Sequence, residues 1–222
     1  NIVRAEDGSG SGVGDLRRNG REIAVTVSAG KSRTGAGILD VMAATGKAIV
    51  PANLYEPIIG DDGIETAVAA YKLFVDLKIR NIVMWGANYY AHELPPSSAW
   101  LVWDKENGES VFGDCEIAWT SAKSAIRIFR HKWNGLIKAS ERGERRVHPT
   151  QKPIALAEWA LDLRGDPGDV VFDPFGGSGS TLLACERTGR RCLIAELSPH
   201  YCDVIVSRWE ALTGQTAVLE RS

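Results

Sequence analysis

The stretch "DPFGGSGST", residues 173–181, decides how the rest of the chain is read. It follows the apolar run "DVVF" and leads into "LLACERTG", which makes it a glycine-rich turn between a strand and a helix. Such turns hold nucleotide-like ligands, because glycine lets the backbone come close and a helix N-terminus offers free N–H groups. Two well-known versions fail here. A dinucleotide turn needs Gly-x-Gly-x-x-Gly, and counting from Gly177 and Gly179 the third position falls on Leu182. A phosphate loop needs a lysine before its Ser/Thr, and Gly179 is followed directly by Ser180 and Thr181.

Two acids carry the remaining information. Asp173 ends the strand before the turn, and Glu196 ends the next one, "RCLIAE". An acid about 20 residues beyond such a turn is placed to accept hydrogen bonds from two ribose hydroxyls. A carboxylate beside the turn suits a cationic group better than a pyrophosphate. S-adenosylmethionine, a nucleoside with a positively charged amino-acid tail, satisfies both. The plain alternative, with Asp173 capping its own turn and Glu196 a solvated strand end, stays open on the turn alone.

Working outward, "HPTQKPIALAEWALDL" is expected to be a helix with Pro153 in its first turn and an apolar stripe of Leu156, Trp159, Ala160 and Leu163, stopped by Gly165 and Pro167. "DVVFDPF", "STLLACERTG", "RCLIAEL" and "PHYCDVIVSRWEALTG" alternate strand and helix, the pattern of a parallel α/β unit. Upstream, Val68, Tyr71 and Val75 recur at helical spacing before "NIVMWG", a buried strand. "AWLVWD", "CEIAWT" (Cys115, Ile117 and Trp119 on one face) and "AIRIF" (Ile126 and Ile128 on one face) continue the sheet without helices between them. Residues 6–37 are rich in glycine, serine and charge, with only "IAVTV" strand-like, and a mobile loop is expected there. The 222 residues suffice for one α/β domain with a substantial core.

The chain carries 26 Lys and Arg against 28 Asp and Glu, so any nucleic-acid surface has to come from local clustering. One cluster stands out: Lys123, Arg127, Arg130, Lys132, Lys138, Arg142, Arg145 and Arg146, opposed within the segment by Glu141 and Glu144. DNA phosphate contact is the expectation, with a solvated face as the alternative. Trp133 within it suits a wedge between base steps or, more commonly, packing. Cys115, Cys185, Cys192 and Cys202 form no C-x-x-C pair and stand near no histidine set, so neither zinc nor another metal is expected, and the interior reads as reduced. No apolar run approaches the ~20 residues of a membrane span, and no membrane partner is expected.

"HPTQKP" at residues 148–153 together with "DPFGGSGST" resembles the DNA adenine-N6/cytosine-N4 methyltransferase family, in its circularly permuted branch, where the cofactor-binding half follows the catalytic half. The likeness extends to "YEPIIGDD", "NIVMWGANYY", "WLVWDK" and "IAWTS", so it covers Tyr55 to Leu212, and it is nearest to short phage and prophage members. The resemblance implies a three-layer, Rossmann-like, S-adenosylmethionine-dependent methyltransferase fold, circularly permuted. It divides the chain into residues 1–54 (mobile loop and start of the catalytic half), 55–122 (catalytic half), 123–147 (DNA-contacting) and 148–222 (cofactor-binding half). It also implies cofactor contacts at His148, Thr150, Gln151, Lys152, Pro153, Asp173, Pro174, Phe175, Gly176, Gly177, Ser178, Gly179, Ser180 and Glu196. Double-stranded DNA is the implied partner, adenine N6 the preferred target over cytosine N4, and the cytoplasm of a bacterial or phage-infected cell, with a restriction-modification or phage context, the setting. A small-molecule methyltransferase is a third reading, against which the basic segment argues.

In that family an Asp/Asn/Ser-Pro-Pro-aromatic motif hydrogen-bonds the target amine, and its aromatic residue stacks on the flipped base. Nothing here matches it. "ELPPSSAW" has Pro95 and Pro96 with no acid or amide in front and no aromatic behind, and "VPANLYEP" lacks a second proline. By the family's order the motif precedes "YEPIIGDD" and a mobile loop, so it is expected upstream of Asn1. The catalytic residues are therefore unassigned, and the chain is expected to be an inactive fragment, a catalytically silent relative being the alternative.

Overall fold

The computed structural model describes residues 2–4, 24–28, 55, 58–60, 62–108, 113–133 and 137–219. Its strands are β1 (Ile2–Arg4), β2 (Ala24–Ser28), β3 (Asn81–Trp85), β4 (Leu101–Asp104), β5 (Cys115–Thr120), β6 (Arg127–Arg130), β7 (Val170–Asp173) and β8 (Arg191–Glu196). The described helices are α1 (Glu65–Asp76), α2 (Ile154–Arg164), α3 (Ser180–Arg187) and α4 (Pro199–Thr213). All eight described strands join one sheet in the order β1-β8-β7-β2-β3-β5-β4-β6. Five strands from β1 to β3 run parallel, β5 is reversed, and β4 and β6 run again in the direction of β3. The strand carrying the glycine turn, seventh in the chain, lies third in the sheet, between β8 and β2.

Strand β3 explains the layering. Ile82 and Met84 point to one face, where they pack with Phe74 and Ala67 of α1 and with Trp119. Val83 and Trp85 point to the other, against Leu156 and Ala160 of α2. A strand covered on both faces reads as one apolar run, as "NIVMW" does. The fold is thus a helix-sheet-helix sandwich, the three-layer α/β arrangement the sequence implies. Local signals set the ends: Ser198 accepts the Tyr201 N–H at 3.4 Å to cap α4, Pro199 opens that helix, and Gly214 closes it at φ 69°.

Several expected faces turn out rotated or widened. Helix α1 buries Ala67 and Phe74 with Val68 and Tyr71 alongside, whereas Val75 is 50% exposed. Helix α2 buries two faces, Leu156 and Ala160 against one cluster and Ile154, Ala157 and Leu161 against another, while Leu163 lies exposed. A single stripe cannot describe a helix wedged between a sheet and another helix. Pro153 is the residue before α2 rather than within its first turn. Ile126, just before β6, and Ile128 on it are exposed, and Phe129 packs inward, stacked on Trp159 at 5.2 Å. Cys115 is also exposed, at the start of β5. Strand β1 has no counterpart in the sequence reading, because three residues at a sheet edge carry no periodicity. Ala24 to Val27 of "IAVTV", with Ser28, form β2, and the remainder of the 6–37 loop lies outside the described residues.

Candidate functional site

The parallel strands β8, β7, β2 and β3 all end at one edge of the sheet, and there the glycine turn leaves β7. A cleft at this edge is lined by Asp173 to Ser178, by Ser180 and Thr181, by Glu196 and by the loop residues His148, Thr150, Gln151 and Lys152. Trp85 at the tip of β3, with Ile58, Ile59 and Gly60, adds a further wall. Of the residues expected at a ligand, only Pro153 and Gly179 do not line the cleft; they sit at the starts of α2 and α3. Sequence reasoning missed Trp85, Thr181 and residues 58–60, although each adjoins a stretch already singled out.

Asp173 is 3% exposed, and burial pushes its carboxyl up to about 7 against the pull of hydrogen bonds from the Thr181 side chain and the Phe175 N–H, the latter at 3.0 Å. It therefore caps its turn and lines the cleft at once. Glu196 accepts the Gly177 N–H at 2.6 Å on Oε2 and the Ser198 N–H at 2.9 Å on Oε1. Each carboxylate oxygen keeps a second lone-pair direction, so two acceptor positions remain for hydroxyl donors.

The glycines have separate reasons. A Cβ on Gly176 would lie 2.9 Å from Ile205 Cδ1 and 3.1 Å from the Ala195 carbonyl oxygen, so a side chain is excluded by packing. Gly177, at φ 51°, presents bare backbone to the His148 ring, and Gly179, at φ 77°, begins α3. On the opposite wall His148 is buried against Tyr201 with ring centroids 4.3 Å apart. Its Nδ1 accepts the Thr150 N–H at 3.2 Å, which leaves Nε2 as the protonated nitrogen. Burial, with Lys152 and Arg146 nearby, pushes the ring down to about 4, so it is neutral at physiological pH. Gln151 accepts the Val147 N–H on Oε1, while its buried Nε2 has no partner among the described residues. Lys152 pairs with Glu116 of β5 at 3.4 Å, and its carbonyl accepts the Ser180 hydroxyl at 2.7 Å, tying this loop to the glycine turn. Burial works against the Glu116 charge, but Lys152 and Lys105 outweigh it and hold the carboxyl down at about 2.

Residues 58–207, which include both walls of this cleft, match the N6/N4 DNA methylase family model. The chain belongs to that DNA methylase family. Among curated relatives, it is 25% identical over 143 residues to the type II methyltransferase M2.DpnII of Streptococcus pneumoniae, which covers 60% of this chain and 52% of the relative. It is 38% identical over 68 residues to the type II methyltransferase M.ScaI of Streptomyces caespitosus, 31% of this chain and 22% of that one. The chain thus spans about half or less of the length of these relatives. Its fold is similar to that of TTHA0409 from Thermus thermophilus, solved in complex with S-adenosyl-L-methionine, with a TM-score of 0.51, 18% identity and coverage of 86% and 87% of the two chains.

In this member of the DNA methylase family the basic segment is divided by β6. β6 runs in the direction of β3, and through Leu101 and Ala118 its first residue, Arg127, is in register with Trp85 at the carboxyl tip of β3, so Arg130 lies beyond that tip, on the side where the cleft opens. Lys123 and Arg127 are both exposed; Lys123 follows Ser121, which bonds Arg80 and Ile82 at the amino end of β3, whereas Arg127 opens β6. Arg130, Lys132, Lys138, Arg142 and Arg145 follow on the cleft side, where Arg130 pairs with Asp104 at 3.5 Å, Lys132 donates to the Glu106 carbonyl, and Lys138 lies 4.7 Å from the Trp133 ring centroid. Trp133 is buried, so packing is its role. Arg146 turns inward, donating to the carbonyls of His148 and Pro149, and so braces the cleft wall. Among the described residues no group of His, Cys, Asp and Glu is arranged to hold a metal, and no helix is long and apolar enough to cross a membrane.

Proposed function

We propose that the chain is the cofactor-holding part of a DNA methyltransferase that takes S-adenosylmethionine in the carboxyl-edge cleft and methylates the N6 amine of adenine in double-stranded DNA. The observation that carries this reading is the pairing of Asp173 and Glu196 across a lysine-free glycine turn, both lining one cleft. The cleft fits the cofactor's chemistry: Glu196 for the ribose hydroxyls, Asp173 for the cationic tail, and Gln151 Nε2, without a partner among the described residues, for an acceptor such as the tail carboxylate. Phe175 and Trp85 offer apolar surface beside them. Bound there, the cofactor supplies an electrophilic methyl group; the protein's part is to orient it, with His148 kept neutral so that it adds no competing charge. Family membership and the type II relatives support DNA as substrate, and adenine rests on the likeness to short phage enzymes, in a cytoplasmic restriction or phage setting.

Calorimetric titration of S-adenosylmethionine tests the site. Glu196→Ala is expected to weaken binding by about 1.5 to 3 kcal/mol, the worth of a charge-assisted hydrogen bond. Unchanged affinity refutes the ribose assignment.

A second reading, a relative that binds DNA and cofactor without transferring methyl groups, is favoured by one observation: none of the 222 residues forms the Asp/Asn/Ser-Pro-Pro-aromatic motif. Without preorganised acceptors for the amine the rate falls about a hundredfold or more. Residues 1–222 by themselves are accordingly expected to give no labelled N6-methyladenine or N4-methylcytosine on a mixed-sequence duplex. Robust labelling would mean that other residues of this chain activate the amine.

A further inference from the structure

Glu141 sits inside the basic segment, yet its side chain is 5% exposed and points into the protein. Its Oε2 accepts the Ile154 N–H at 3.0 Å, capping α2 from 13 residues upstream. Its Oε1 receives Arg208 Nη2 of α4 at 2.9 Å, and Arg208 Nη1 donates to the Ser178 carbonyl, in the glycine turn, at 2.6 Å. Glu144 approaches the same guanidinium at 3.8 Å. One half-buried arginine therefore joins the basic segment, the start of α2 and the turn lining the cleft.

The backbone at this point is held in an uncommon conformation. Glu141 has φ 51° and Gly143 φ 82°, and the Glu144 N–H closes on the Glu141 carbonyl at 3.3 Å. A non-glycine residue at positive φ costs about 1 kcal/mol or more and persists where surrounding contacts over-determine it. Here those contacts are the Ile154 and Arg208 bonds. The tight turn they hold carries Arg142 at its tip and Arg145 just beyond, both exposed at the carboxyl edge.

We propose that Glu141 and Arg208 form a clasp that couples occupancy of the glycine turn to DNA phosphate contact by Arg142 and Arg145. The inference rests on the proposed function for its two ligands. A ligand that orders the glycine turn fixes the Ser178 carbonyl and with it Arg208; Arg208 fixes Glu141 and the turn that presents the arginines. Whichever ligand binds first bears the ordering cost, so the second binds more tightly, and linkage makes the effect reciprocal. Glu141 and Arg208 are positioning residues, since neither touches a reacting atom.

The test is titration of S-adenosylmethionine into the full chain, alone and saturated with a mixed-sequence duplex, for the wild type, Glu141→Gln and Arg208→Lys. The wild type should bind the cofactor about fivefold or more tightly with duplex present, within the usual range of coupling. Both variants should bring that ratio close to one. A purely structural role would lower the separate affinities and leave the ratio intact, so an unchanged ratio in the variants, or a ratio of one in the wild type, overturns the clasp. A wild type that binds neither ligand overturns the proposed function itself. Should Glu141→Gln fail to fold, Arg208→Lys decides, because lysine keeps the charge and loses the two-pronged reach.

Discussion

Burial pushes the Asp173 carboxyl up to about 7 from its usual 3.8, so the folded chain bears a growing cost as pH rises between these values and the full cost above 7. Asp173→Asn removes the ionisation and keeps one acceptor for the Phe175 N–H. The variant is expected to be more stable than the wild type at pH 8 by about 1 to 3 kcal/mol, the gap closing toward pH 4; thermal melts across that range check it. A pH-independent gap would mean that burial does not govern this group. The stabilised variant should also hold S-adenosylmethionine less well, the mark of a residue kept for its site rather than for the fold. Gly176 shows the opposite logic: Gly176→Ala places a methyl group against Ile205 and the Ala195 carbonyl oxygen. Overpacking of this kind costs about 1 to 3 kcal/mol, read as a drop in denaturation midpoint. The glycine was legible in the sequence as part of a turn, but the reason for it was not, since Ile205 arrives from a helix 29 residues downstream.

At the level of elements, α2 distinguishes what a sequence stripe conveys from what packing does. The stripe Leu156, Trp159, Ala160 and Leu163 identifies one contact face; the second, through Ile154, Ala157 and Leu161, exists because α3 lies alongside. Leu156→Ala and Leu161→Ala should each cost about 2 to 5 kcal/mol, whereas Leu163→Ala, on an exposed position, should stay within about 0.5 kcal/mol of the wild type. Chemical denaturation of the three variants checks the ordering, and a large loss at Leu163 would restore the single-stripe reading. The "HPTQKP" loop was legible as a motif. That its lysine reaches Glu116 and its histidine Tyr201 depends on β5 and α4, neither of which is near it in sequence.

For the molecule as a whole, the register of β6 determines which charges stand at the carboxyl edge, the side on which DNA is proposed to bind. Replacing Arg142 and Arg145 with alanine should reduce the slope of log affinity against log salt by up to about 1.8, or roughly 0.9 for each duplex phosphate that is no longer neutralised. Replacing Lys123, which lies beside the amino end of β3, should leave the slope unchanged. Filter binding or fluorescence anisotropy across a salt series measures both, and equal reductions would mean that the segment acts as one surface. In the sequence these residues form one cluster, because charge spacing carries no direction; four residues of β6, about 13 Å of extended chain, are enough to separate its two ends. The sequence by itself determined the family, the alternation of strand and helix around the glycine turn, and the two acids beside it, because each depends on residues adjacent in the chain. Only the tertiary structure decided that Asp173 is buried enough to titrate near neutrality, that Arg146 braces the cleft wall, and that Glu141 is held by Arg208, because desolvation and ion pairing depend on neighbours that the chain brings in from far away.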